Sequence, residues 1–172
     1  MKKIFVSMIL AFCAIAANAQ FYVGGTVGFS SIEENNVTIS NFTLAPEVGY
    51  KIDENWDLGL ELGFSTAKET GEDSNNMFTL APYARYTFAK LSNVDFFVQG
   101  QLEYINYGED CGSGFGFAIE PGVSFNVNDK ISLIGKIGAL EYFKNDKDAG
   151  DGSIFRFGVD NTKLSVGVVY NF

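Results

Sequence analysis

The chain has 172 residues, with 12 basic and 21 acidic side chains, 19 glycines, 17 phenylalanines, 8 tyrosines and no histidine. The acidic balance excludes the basic surface that nucleic acids require, and the lack of histidine removes Ser–His and Asp–His catalysis. Beyond the N-terminus no stretch approaches the roughly 20 apolar residues of a transmembrane helix, so any membrane-spanning form must be a closed barrel.

In chain order, Met1-Lys2-Lys3 precedes an apolar run from Ile4 to Ala17, and Ala17-Asn18-Ala19 stands before Gln20. A short basic region, an apolar stretch too short to span a bilayer and an A-x-A site predict a signal peptide over residues 1–19 and a mature domain over 20–172. The alternative is a lipoprotein signal on Cys13. Against it, Phe12 stands where a small residue is needed, and apolar residues continue past the cysteine. Loss of the signal leaves ten basic against 21 acidic residues, a net charge of −11. Cys111 is then the single cysteine, so no intramolecular disulfide is expected. About 150 mature residues suit one domain, and no amphipathic helical pattern occurs after residue 20.

A repeat gives the architecture. Phe42-Thr43-Leu44-Ala45-Pro46, continuing to Tyr50 and Ile52, aligns with Phe78-Thr79-Leu80-Ala81-Pro82, continuing to Tyr86 and Phe88. It aligns also with the segment from Phe117 through Pro121 to Phe125 and Val127, and with the tail from Thr162 to Phe172. The copies start 36, 39 and 45 residues apart, room for two membrane-length strands, a tight turn and a longer loop per unit. The partner strands are expected at 21–30, 56–66, 94–107 and 131–144. Short connections at 53–55, 90–93 and 128–130 alternate with polar loops near 31–40, 67–76, 108–113 and 145–160. The fold class is therefore all-β, an eight-stranded antiparallel up-and-down transmembrane β-barrel.

Each strand alternates. Trp56, Leu58, Leu60, Leu62 and Phe64 oppose Asp57, Gly59, Glu61, Gly63 and Ser65, at the period of two that puts them on opposite sheet faces. Alternation alone does not orient the faces, and a soluble barrel of lipocalin type would place the greasy face inside around a ligand. Two features favour the apolar face outward. The polar face carries charges of both signs among small residues, as a narrow filled lumen needs. The apolar faces end in Tyr50, Trp56, Tyr86, Phe88, Phe125, Tyr170 and Phe172 at the short-turn end, a predicted interfacial girdle. Pro46, Pro82 and Pro121 recur at one mid-strand position, where a closed sheet offers no edge, so bulges are expected there. In the seventh strand Ile134 and Leu140 interrupt the polar face.

The polar face places Glu47, Glu61, Arg85, Gln99, Gln101, Glu120 and Lys136 near mid-height, with Lys51, Glu103 and Lys163 further along. Buried charges need partners, so these residues are expected to form a salt-bridge and hydrogen-bond plug. The alternative is a narrow gated ion path in which the pairs exchange partners. Loop acids at Glu33, Glu34, Glu69, Glu72, Asp73, Glu109, Asp110, Asp146, Asp148, Asp151 and Asp160 read as solvated charge. The run from Asp146 to Gly152 interchanges Gly and Asp against a calcium loop and has Phe157 at its twelfth position, so no metal site is expected. Cys111 has no histidine to activate it and no carboxylate pair lines a sugar cleft, so neither an enzyme nor a cofactor is expected.

The last strand reads Ser165-Val166-Gly167-Val168-Val169-Tyr170-Asn171-Phe172. This tail resembles the C-terminal assembly signal of bacterial outer-membrane barrels: polar, any, glycine, any, any, aromatic, any, aromatic. With the signal peptide and the four-hairpin repeat, the whole mature chain resembles the OmpA-like transmembrane domain and OmpX-like group of porin-family β-barrel domains. The resemblance implies the outer membrane of a Gram-negative bacterium, contact with its lipid and lipopolysaccharide, and monomeric insertion by the barrel assembly machinery after escort by periplasmic chaperones. It makes Ser165, Gly167, Tyr170 and Phe172 the assembly signal. The resemblance does not extend to the periplasmic peptidoglycan-binding domain of full-length OmpA proteins, so no cell-wall tether is implied. The role expected is structural or surface-interacting, with long loops meeting a surface ligand.

Overall fold

The computed structural model describes residues 20–34, 37–69, 75–108, 112–146, 150 and 152–172. Residues 1–19, expected as the signal peptide, lie outside that set. Eight antiparallel strands close into a barrel, each paired with its chain neighbour and the last with the first. They are β1 (Phe21–Glu34), β2 (Val37–Lys51), β3 (Trp56–Glu69), β4 (Asn75–Leu91), β5 (Val94–Asn106), β6 (Ser113–Asn126), β7 (Ile131–Asn145) and β8 (Ser153–Asn171).

The short connections are built by local chemistry. Asp53 Oδ1 accepts from the backbone N–H groups of Asn55 and Trp56 at 2.7 and 2.9 Å. Asn128 Oδ1 does the same for Lys130 and Ile131, at 2.9 Å each. These are side-chain turns of the kind Asp and Asn favour. The expected turn at 90–93 tightens to Ser92-Asn93, because Lys90 and Leu91 stay in the ladder opposite Asp95 and Val94. Ser92 takes a φ of 54°, the left-handed conformation that a two-residue hairpin matching strand twist needs at its first position.

The opposite end differs from expectation. Strand structure fills most of the segments read as loops, through Glu34, from Val37, through Glu69, from Asn75 and from Ser153. Pairs such as Ile32↔Ile39 and Thr66↔Asn76 continue the ladders there. Once both faces of a strand are wetted, alternation is no longer required, so the backbone pairing leaves no mark in the residue pattern.

The prolines lie mid-strand as expected, but the expected bulge forms at Pro121 and not at Pro46 or Pro82. Each keeps one unbroken ladder, Pro46 with Gly25, Pro82 with Leu60 and Pro121 with Val98. On the other side the ladder skips, from Leu44 to Glu47 and from Leu80 to Tyr83, with no change of register. Only Pro121 sits at a register shift: three residues of β6 from Ile119 to Gly122 span four of β7 from Lys136 to Leu140. The missing N–H thus costs one ladder interruption at Pro46 and Pro82 and a bulge at Pro121. That bulge also reassigns β7. Ser132, Ile134 and Lys136 are buried before it and Phe143 after it, so the inward face changes from even to odd positions. Leu140, the partner of outward Ile119, therefore lies on the outer wall, whereas Ile134 does point inward, against Tyr22 and Val169.

The apolar face is outside. Val27, Leu44, Leu58, Leu80, Leu102, Val123, Leu133 and Val166 are all exposed, while Thr26, Glu47, Arg85, Gln99, Gln101, Ser132 and Lys136 are buried. This is the inverse of a soluble barrel and the arrangement that hydrocarbon requires. The expected aromatics at the short-turn end pair as Trp56–Tyr86 and Phe21–Tyr50 at 4.8 Å and Tyr170–Phe172 at 5.2 Å. A second band, including Phe64–Phe78 at 5.4 Å and Phe117–Tyr142 at 5.9 Å, lies about 21 Å higher for eight residues of tilted strand. Together they bracket the ~25 Å apolar band of an outer-membrane barrel.

Candidate functional site: a charged lumen between two vestibules

Large inward aromatics stand directly opposite glycines on the neighbouring strand. Tyr22 faces Gly49, Tyr83 faces Gly59, Phe97 faces Gly122 and Phe143 faces Gly116. A Cβ on Gly49 or Gly59 would collide with the phenol ring opposite, and one on Gly122 with the ring of Phe97. The rings therefore lie flat across the neighbouring strand, a packing only glycine permits. Those of Tyr22, Tyr83 and Phe97 fill the narrow interior at the level of Arg85, and that of Phe143 packs against Tyr107 nearer the upper rim.

Around Arg85 the groups form one connected chain. Its Nη2 donates to Glu47 Oε2 at 2.9 Å and to Gln99 Oε1 at 2.8 Å, and its Nε donates to Gln99 Oε1 at 3.1 Å. The Tyr83 hydroxyl donates to Glu47 Oε2 at 2.8 Å and lies 2.8 Å from the Tyr22 hydroxyl. Gln99 Nε2 donates to Gln101, and Gln101 Nε2 to Glu103, at 2.7 and 2.6 Å. The guanidinium carbon lies 4.7, 5.1 and 5.8 Å from the ring centres of Phe97, Tyr83 and Tyr22, so cation–π contacts supplement the ion pair. Gln99 is 0% exposed, and Glu47 Oε1 is buried with no hydrogen-bond partner.

A second cluster sits beside it. Lys136 Nζ donates to Glu61 Oε2 at 2.6 Å and lies 3.4 Å from Glu120 Oε2. All seven residues singled out at mid-height thus project into the lumen, divided between an arginine cluster with Glu47, Gln99 and Gln101 and a lysine cluster with Glu61 and Glu120. The two meet where Glu47 and Glu61 oppose each other across β2 and β3.

Cavities lie on both sides of the Arg85 level. The lower, about 220 Å³, is lined by charged groups including Lys51, Asp57, Lys90 and Asp95, and Asn126 bridges its wall by donating to Asp95 at 2.7 Å and accepting from Ser132 at 2.8 Å. The upper, about 250 Å³, is lined by Glu61, Glu103, Glu120, Lys136 and Glu141 among others. Above the strands the Tyr107 hydroxyl donates to Asn145 at 3.0 Å, and burial with Glu141, Asp146 and Glu103 nearby pushes its ionisation upward.

Sequence reading singled out the charges but not Tyr22, Tyr83 and Phe97 that enclose them. The signal for these was present as aromatics on polar faces rich in glycine. Lys51 lines the lower cavity and Glu103 ends the glutamine chain, whereas the side chain of Lys163 lies outside the described residues. Of the loop acids, Asp146 Oδ2 accepts from the N–H and hydroxyl of Ser113 at 3.0 and 2.8 Å. Glu72, Asp73, Glu109, Asp110, Asp148 and Asp151 lie outside the described residues, as does Cys111. Among the described residues no cluster of acids, cysteines or histidines has metal-holding geometry.

In β8, Ser165 pairs with Gly28 and Lys136, and Gly167 with Thr26 and Ile134. A Cβ on Gly167 would strike the backbone of Gly25 and Thr26. Tyr170 and Phe172 face outward, and the Phe172 N–H donates to the carbonyl of Phe21 at 3.2 Å.

A closed eight-stranded barrel with an apolar exterior, two aromatic bands and a polar lumen defines an integral outer-membrane protein. The outer membrane protein beta-barrel domain family matches residues 4–172, and the chain belongs to it; its location is the outer membrane of a Gram-negative bacterium. It is 28% identical over 178 residues to an uncharacterized protein of Haemophilus influenzae, covering 91% of this chain and 99% of that one. Among solved structures it is similar to Neisserial surface protein A, with a TM-score of 0.61 and 19% identity over 88% of this chain and 97% of the other. OprG of Pseudomonas aeruginosa gives a TM-score of 0.48 and 13% identity over 89% and 96%. The likeness to the Neisserial protein is one of fold.

Proposed function

We propose that this chain is a sealed, non-catalytic barrel that acts in the outer membrane as a structural or surface-interaction protein, its lumen plugged by the charged network. One observation carries this reading: Arg85, Glu47, Gln99, Tyr22 and Tyr83 meet by direct hydrogen bonds across the interior, between the two cavities. Removing one partner from such a pair strands a buried charge at a cost of about 3–5 kcal/mol, so the plug holds itself shut. The barrel sits as a monomer in lipid and lipopolysaccharide, reaches it through periplasmic chaperones and the barrel assembly machinery by way of Ser165, Gly167, Tyr170 and Phe172, and offers its upper rim to a surface ligand.

Planar-bilayer recording tests the seal. The wild-type barrel is expected to show no steady single-channel conductance, and Arg85→Ala to show brief openings. A steady conductance in the wild type would overturn the reading. A narrow gated ion path is the second reading, favoured by the free Glu47 Oε1 and by the register pairing of Glu47 with Glu61, which puts Arg85 and Lys136 before adjacent carboxylates. It requires wild-type conductance that Glu47→Ala alters.

A further inference from the structure

The hydroxyl chain beside Arg85 has a direction. The Tyr83 hydroxyl gives its one proton to Glu47 Oε2, so in the 2.8 Å contact between the two phenols Tyr22 is the donor and Tyr83 the acceptor. Tyr22 lines the lower cavity. At the other end Glu47 Oε2 accepts from both Tyr83 and Arg85, whereas Oε1 of the same buried side chain has no hydrogen-bond partner. The register partner of Glu47 across β2 and β3 is Glu61, on the same inward face with its Cβ about 5 Å away. Glu61 lines the upper cavity. Donors and acceptors therefore run from one cavity to the other, interrupted where an orphaned oxygen stands between two carboxylates.

The paired charges at this level do not balance. Glu47 is held by Arg85, while Lys136 is divided between Glu61 at 2.6 Å and Glu120 at 3.4 Å, so three carboxylates share two cations. Glu47 acts electrostatically on Tyr22 of β1, Asp57 and Glu61 of β3, Tyr83 and Arg85 of β4 and Lys136 of β7. Asp57, lower on β3, stands opposite Lys51, and β5 presents the neutral Gln99 to the arginine. A proton shared by Glu47 Oε1 and Glu61 gives the orphaned oxygen its donor and brings the set to neutrality.

On the sealed reading of the lumen, we infer that the plug, closed to water and to metal ions, relays protons between the two cavities along Tyr22, Tyr83, Glu47 and Glu61. In one transfer, water in the lower cavity gives a proton to the Tyr22 oxygen, the Tyr22 proton passes to Tyr83, and the Tyr83 proton passes to Glu47 Oε2. The proton held at Oε1 leaves through Glu61 to water in the upper cavity. Each phenol ends with one proton, no phenolate is left in the interior, and Glu47 and Glu61 still hold one proton between them. A half-turn of the Glu47 carboxyl group and a turn of both hydroxyls, each a donor and an acceptor, restore the starting chain.

The test uses the mature barrel refolded into phosphatidylcholine vesicles loaded with the pH indicator pyranine. A pH step drives protons inward, with valinomycin and equal potassium on both sides holding the potential at zero. Potassium conductance is read separately in planar bilayers without valinomycin. The wild-type barrel is expected to collapse the pH step at least tenfold faster than protein-free vesicles and to show no steady potassium conductance. Tyr83→Phe keeps the ring on Gly59 and the Arg85–Glu47 pair and deletes the relaying hydroxyl, and Tyr22→Phe does the same over Gly49. Glu61→Gln removes the exit and leaves Lys136 its contact with Glu120. All three should return the rate to that of protein-free vesicles, with folding checked by the gel shift of unheated barrels. A wild-type rate equal to that of protein-free vesicles, or a fast rate that survives in folded Tyr83→Phe, overturns the relay. Should Tyr83→Phe not fold, Tyr22→Phe decides. Potassium conductance in the wild type overturns the sealed reading; the relay then stands if Tyr83→Phe still slows the pH step and falls if it does not.

Discussion

Tyr83 lies across Gly59 because nothing else at position 59 leaves room for the ring. Gly59→Ala is therefore expected to destabilise the barrel by about 1–3 kcal/mol, the usual range for overpacking, as read by urea unfolding in lipid vesicles. Tyr83→Leu in the same chain should recover part of the loss, since a smaller side chain tolerates the methyl. Glu47→Ala leaves Arg85 buried without its carboxylate and is expected to cost about 3–5 kcal/mol, and the double variant with Arg85→Leu less than that single change. A loss equal to or greater than that of Glu47→Ala in the double variant would show that the pair is not the source of the cost.

β7 shows how much an element's sequence hides. Its residue pattern reads as one strand with Ile134 and Leu140 out of place. Only Ile134 points into the lumen, because the extra β7 residue opposite Pro121 turns Leu140 to the outer wall. Single cysteines in a Cys111→Ser background test the reversal. Leu133→Cys and Leu140→Cys, of opposite parity, should both react with a lipid-soluble maleimide and resist a charged one, and Glu141→Cys should do the reverse. Alternation over β2 to β4 made their inward charges legible. The bulge at Pro121 was legible as an expectation shared with Pro46 and Pro82; that it alone would form, and that β7 would carry the extra residue, was not, because proline marks where an N–H is missing without saying which neighbour adjusts. The strand ends above the membrane were illegible for a different reason: water on both faces removes the constraint that writes alternation into a chain.

At the scale of the molecule, closure depends on β8 meeting β1, among the described residues over the stretch from Tyr22 to Gly28. A closed barrel resists unfolding in SDS until boiled, so the unheated protein is expected to migrate apart from the boiled one and to need detergent for extraction. Removing Phe172 deletes one N–H bond to Phe21 and one ring contact with Tyr170, a small structural loss. The truncated chain should therefore still give the shifted band when refolded in detergent, yet lose it in membranes from cells if the terminal aromatic serves insertion. Loss in both settings would make Phe172 a structural residue and remove the support for an assembly signal.

The ring-on-glycine contacts bear on how the strands find their partners. Sliding one strand by two residues keeps every side chain on its proper face, so alternation cannot prevent it. Such a slide would set Tyr22 against Glu47 or Lys51, Tyr83 against Asp57 or Glu61, and Phe97 against Glu120 or Ser124 in place of glycine. The Tyr83 and Phe97 contacts occupy β3–β4 and β5–β6, hairpins with longer connections, and the Tyr22 contact lies near the far end of β1–β2 from the two residues that join Glu34 to Val37. Phe143 on Gly116 stands beyond the bulge, where the Asn128 turn no longer governs. The β7–β8 hairpin has no such contact among its described pairs, and it is there that the alignment wanders. The aromatics thus work as keys, each cut for one notch, that let a growing sheet distinguish correct closure from its nearest counterfeit.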